Sequence, residues 1–136
     1  MTLQEIEAHC LAKPGAYADY PFNEFPVIKV KAPSQEKGLI FAMPFLLHGA
    51  PAVTLKCDAM TGDHYRNIYP GAVTRGYHCP PVQQPYFNTV ALDGTVPGDA
   101  LLEMMSHAYA VVVAKLPKKF QRELNATQVH IEENLT

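Results

Sequence analysis

The chain predicts an α+β fold: an antiparallel sheet with an N-terminal and a C-terminal helix packed on one face, in two layers. Three observations carry this. A capped apolar helix pattern opens the sequence, short β-prone runs bounded by Pro, Gly and Ser follow it, and a long apolar stripe at helical spacing comes near the end. Neither GxGxxG, GxxxxGK[ST] nor GxSxG occurs, so the order of elements does not read as a nucleotide-binding α/β unit.

Thr2 and Glu5 form a T-x-x-E capping box, and Leu3, Ile6 and Cys10 recur at helical spacing until Pro14-Gly15 stops the run. The runs VIKVK (Val27 to Lys31), LIFAM (Leu39 to Met43) and AVTLKC (Ala52 to Cys57) read as an antiparallel meander, with Lys29, Lys31 and Lys56 on its solvated face. Asp58 caps a second helix that runs through Ile68 and ends at Pro70-Gly71; Gly62 weakens it. Val73 to Tyr77 and FNTVAL (Phe87 to Leu92) form a strand pair, while the proline-rich CPPVQQPY between them cannot pair centrally. From Pro97 to Leu116, the residues Leu101, Leu102, Met105, Ala108, Tyr109, Val112, Val113 and Leu116 make a buried helical stripe. Residues 1–120 thus form one domain, and 121–136 a tail, with a short helix expected at Phe120 to Leu124.

With 136 residues the chain can bury one real core but not two. A formal net charge of -2 gives no global attraction to nucleic acid or acidic membranes, so any anion site has to be local. Three well-separated cysteines with no CxxC pair, and an N-terminus lacking the n- and h-regions of a secretion signal, point to the cytoplasm and against disulfides. The uncharged run Leu39 to Leu55 is broken by Pro44, His48, Gly49 and Pro51, so it reads as two strands and an apolar connection rather than a membrane span. No membrane partner is expected.

Five motifs occur in order: CLAKPGAYADYPF (Cys10 to Phe22), LKCD (Leu55 to Asp58), YPGAVTRGYH (Tyr69 to His78), NTVALDG (Asn88 to Gly94) and AYAVVVAKLPKK (Ala108 to Lys119). Together they resemble the MmcQ/YjbR family. The resemblance implies a small bacterial domain of CyaY-like fold, from a family described as DNA-binding through β-hairpin wings and without a defined biochemical role. Between YPGAVTRGYH and NTVALDG, where the family pattern carries a basic residue, this chain has PPVQQPYF, and no Lys or Arg occurs from Gly76 to Ala114.

A DNA-binding surface would draw on Lys29, Lys31 and Lys56 of the sheet, Arg75 beside the turn, and Lys115, Lys118 and Lys119 at the end of the long helix. The ordinary reading of the same lysines is a solvated strand face and cations suited to a helix C-terminus. Tyr77, His78, Tyr86, Phe87 and Asn88 form a polar-aromatic set suited to a small ligand, against the ordinary reading of rings alternating across a strand. The alternative to DNA binding is therefore a small-molecule or protein-interaction module, monomeric or homodimeric, with the apolar Pro44 to Val53 segment as a contact. His78-Cys79 with Cys57, Asp58 or His64 lacks the paired spacing of a metal site, so no metal and no cofactor are expected. Cys57 or Cys79 with His64 or His78 is a nucleophile pair on paper only, and no acid-base arrangement can be read from the chain, which places an enzyme behind both binding readings.

Overall fold

The capping box forms as spelled: Thr2 Oγ1 accepts the Glu5 N–H at 3.1 Å, Glu5 Oε1 accepts the Thr2 N–H at 3.1 Å, and helix α1 runs Leu3–Leu11 with Ile6 and Cys10 buried. In this computed structural model residues 1–21, 24–77 and 79–135 are described, with side chains through residue 127. The strands that follow are β1 Ala16–Asp19, β2 Val27–Val30, β3 Leu39–Leu47 and β4 Ala50–Lys56. Helix α2, Ala59–Ile68, separates them from β5 Val73–Arg75, a 3-10 turn Gln84–Tyr86 and β6 Phe87–Ala91. Helices α3, Gly98–Ala114, and α4, Lys118–Leu135, complete the chain.

One antiparallel sheet of six strands in the order β1-β2-β3-β4-β6-β5 results, and α1, α2 and α3 pack on a single face of it. Ile28, Val53, Leu55 and Val90 point into this layer, against Met104, Met105, Ala108 and Val112 of α3. Leu102, counted in the stripe, is instead 40% exposed and Met104 is buried, because the face turned to the sheet follows 101, 104, 105, 108 and 112. On the reverse face Thr54 and Thr89 lie opposite each other in the register and share a buried hydroxyl hydrogen bond of 2.8 Å.

Three elements depart from the expectation. β1 is a four-residue edge strand whose residues are all half-buried, so it carries no apolar alternation that could announce it. β3 continues through Pro44 to Leu47, because β2 pairs with β3 only as far as Ala42, and beyond that point no strand among the described residues pairs with this edge of β3, where proline is tolerated. His48 and Gly49, at φ 49° and 82°, close the β3–β4 hairpin in a two-residue loop, so Pro44 to Val53 is the far half of a hairpin, with Pro44, Ala52 and Val53 buried and Leu46 exposed. The short helix expected at Phe120 to Leu124 is the start of the longer α4, which docks through buried Leu124 and through Glu123, whose carboxylate accepts both the Ser34 N–H at 3.0 Å and its hydroxyl. Long-range contacts of this kind leave no local signature in a charged helix.

Candidate functional site

The sheet forks. Leu39 and Ile40 of β3 stay paired with Val30 and Lys29 of β2, whereas β3 and β4 pair only from Ala42 and Leu55 onward, and Lys56 at the end of β4 pairs with Phe87 of β6. β2 and β3 register Ile28 with Ala42 and Lys29 with Ile40, which leaves Phe41 as the extra residue of a β-bulge at this place. A cleft of about 590 Å³ opens in the fork. Its walls are Ile40, Val82, Tyr86 and Phe87, and Lys56 and Lys115 reach it from β4 and from the end of α3.

The Lys56 ammonium sits 4.5 Å from the centre of the Phe87 ring and 5.5 Å from that of Tyr86. Burial lowers its pKa, and the neighbouring Lys115 ammonium lowers it further. Among the described residues, neither lysine has a carboxylate within ion-pair distance. Lys29, also at the cleft, is different: it holds Asp19 at 2.7 Å, and that bond keeps its pKa raised. Lys56 over two rings, with Lys115 beside it and no carboxylate on either among the described residues, makes a place where an anion with a flat apolar part is favoured.

The residues of the two sequence-derived sets are thus redistributed. Lys56 and Lys115 from the basic set meet Tyr86 and Phe87 from the aromatic set in one cleft, with Lys29 at its edge. Lys31 lies over the Tyr17 ring at 5.3 Å, Arg75 is exposed on the edge strand β5, and Lys118 and Lys119 are exposed at the start of α4. Tyr77 stacks edge-on against His48 at 5.7 Å, away from the cleft, and His78 lies outside the described residues. Asn88 faces α2: it is 4% exposed, its Oδ1 accepts from Arg66 at 2.6 Å and its Nδ2 donates to the Gly62 carbonyl at 3.1 Å. This explains the glycine in α2, since a Cβ at Gly62 would stand 2.5 Å from Cys57 Sγ. Cys57 itself is buried, and that burial pushes its thiol up to about 11, away from nucleophile chemistry.

Beside the cleft, Asp58 holds the start of α2: its carboxylate accepts the Thr61 N–H at 2.8 Å and the Thr61 hydroxyl at 3.0 Å. His107 Nε2 stands 3.2 Å from both the Asp58 N–H and Oδ2, so the neutral ring accepts from the backbone and the protonated ring donates to the carboxylate. The Thr61 N–H chiefly, then its hydroxyl and His107, lower the Asp58 pKa. A folded-state pKa below the unfolded value contributes stability above about pH 4, which is lost as pH falls through the folded value. Asp58→Ala is expected to lower stability by about 1 kcal/mol at pH 7, and urea unfolding at pH 7 and pH 3 should show the gap between variant and parent narrowing at the lower pH.

Fold and site together define a two-layer α+β domain with a cationic, ring-lined cleft where its sheet divides. A family model described as YjbR matches residues 11–111. The chain belongs to the YjbR family. It is 27% identical over 124 residues to the uncharacterized protein YjbR of Escherichia coli K12, covering 91% of this chain and 98% of that protein, and the same figures hold for YjbR of Escherichia coli O157:H7. The crystal structure of Deinococcus radiodurans protein DR2400 superposes with a TM-score of 0.78 at 29% identity, over 91% of this chain and 88% of the other. A Pseudomonas syringae protein shares the fold at a TM-score of 0.65 and 14% identity, over 82% of this chain and 99% of the other. Among the described residues no helix is long and apolar enough to cross a membrane.

Proposed function

We propose that this protein is a binding module for a small organic anion with a flat, unsaturated or aromatic body, held in the fork of the sheet. One observation carries the reading: Lys56 and Lys115 share a cleft with Tyr86 and Phe87 and have no carboxylate partner among the described residues. A ligand carboxylate or phosphate supplies the missing counter-charge, and its body displaces water from the rings and from Ile40 and Val82. The second reading is DNA binding, favoured by Lys118 and Lys119, exposed just beyond Lys115. A single strand would set a base on the rings and its phosphates along these lysines.

Calorimetric titration separates the two. 2-Naphthoate is expected to bind, and 2-naphthylmethanol, of the same shape without the charge, to bind more weakly. Lys56→Gln or Lys115→Gln should each weaken naphthoate about tenfold, the size of one charge-assisted hydrogen bond. Equal affinity of the acid and the alcohol, or no effect of either substitution, would remove the small-anion reading. A single-stranded oligonucleotide that binds more tightly than naphthoate, and loses affinity steeply with salt, would establish the second reading instead.

A further inference from the structure

Lys56 differs from a passive anion-binding lysine in its surroundings. It is half-buried, a second ammonium faces it, its amine lies over two ring faces, and the cleft in front of it holds about 590 Å³. Nucleophilic amines are made in this way, by desolvation and a neighbouring cation that both disfavour the protonated form. The rings act in the opposite sense, favouring the ammonium. No carboxylate among the described residues adds to that, in contrast to Lys29 with its Asp19.

We infer that Lys56 forms an imine with a carbonyl compound that bears a carboxylate or phosphate, an oxo acid or a phosphorylated aldehyde, whose anion rests on Lys115. This rests on the small-anion reading for the role of Lys115 alone. The neutral Lys56 amine adds to the carbonyl carbon and the resulting carbinolamine loses water, so that the C=O bond is exchanged for C=N and no oxidant or reductant takes part. Tyr86 and Phe87 flank the nitrogen that carries the bond. The carbon skeleton lies along Ile40 and Val82, which line the cleft.

Reductive trapping tests this on the full chain, with pyruvate or with uncharged butanone as the carbonyl and cyanoborohydride as the reductant, followed by peptide mapping of every lysine. Lys56 is expected to be modified at least about tenfold faster than any other lysine at neutral pH, because a desolvated amine beside a second ammonium is less readily protonated. Lys115→Met should slow trapping with pyruvate more than with butanone, because only pyruvate uses the second lysine as an anion site. Lys56→Arg, which keeps the charge, should abolish the preferential label. Labelling spread over the lysines in proportion to their exposure would overturn the imine while leaving naphthoate binding untouched. Preferential labelling by butanone together with no naphthoate binding would leave the imine standing and remove the anion reading.

Discussion

Asn88→Leu is expected to lower the stability of the fold by about 3 kcal/mol, because it strands an arginine rather than merely deleting a hydrogen bond. The Asn88 amide is engaged at both ends: Arg66 donates to its oxygen at 2.6 Å, and its nitrogen donates to the Gly62 carbonyl at 3.1 Å. The Arg66 side chain is only 12% exposed, and its other acid contact, Asp63, stands at 3.6 Å and is itself 64% exposed. Removing Asn88 thus leaves a cation short of water and of partners, while the Gly62 carbonyl, inside α2, keeps its place in the helical ladder. Two further variants resolve the parts: Asn88→Asp keeps the acceptor for Arg66 and should lose less, and Arg66→Met in the Asn88→Leu background should restore stability, since an unpaired charge is worse than none. Urea unfolding followed by circular dichroism gives the free energies, provided that the dependence on urea keeps its slope. Equal losses for Asn88→Leu and for the double variant would show that Arg66 plays no part.

Phe41→Ala is expected to lower stability by about 3 to 5 kcal/mol, the range for truncating a large aromatic in a packed core. Phe41 is fully buried and meets Tyr109 edge-to-face, with ring centres 5.6 Å apart. Tyr109 in turn donates from its hydroxyl to the Pro14 carbonyl, and burial pushes that phenol up to about 12. The truncation therefore loosens α3, the end of α1 and the bulge in a single step. Phe41→Leu keeps most of the apolar volume and should lose about 1.5 kcal/mol or less. Since the bulge stands at the fork, Phe41→Ala should also weaken binding in the cleft at temperatures where the fold persists, which titration of the folded variant would measure.

Much of this architecture can be read from the chain, because its signals are local. The Thr2–Glu5 box, the Asp58 cap and the stripe on α3 are each local, and each forms as the residues indicate, save that the stripe turns Met104 rather than Leu102 to the sheet. β1 could not be read, since four residues of even burial are held only by their pairing with β2. Pro44 ended the expected strand, yet among the described residues no strand pairs with β3 beyond Ala42 on the side of β2, which removes the penalty that proline carries in a central strand. The cleft has a different kind of origin. Lys56 looked like one of several solvated lysines and Lys115 like a helix-end cation, and only the divergence of β3 from β4 brings them to one place. Asn88 shows the converse, for a polar residue beside two aromatics resembles a ligand contact until α2 is seen to lie over it.

The strand order has a bearing on how the sheet comes into being. β1 to β4 can zip successively, each hairpin closed by neighbours in sequence, and the His48-Gly49 loop gives the β3–β4 hairpin the shortest closure of all. The last two strands break that succession: among the described residues β5 pairs with no strand but β6, and β6, which follows β5 in the chain, lies between β4 and β5 in the sheet. The NTVA stretch therefore reaches β4 only after α2 and β5 have been made, either alone or already paired with β5. Until that moment the segment from Val73 onward is synthesised ahead of the template it needs, so the final edge of the sheet waits on the strand that emerges after it.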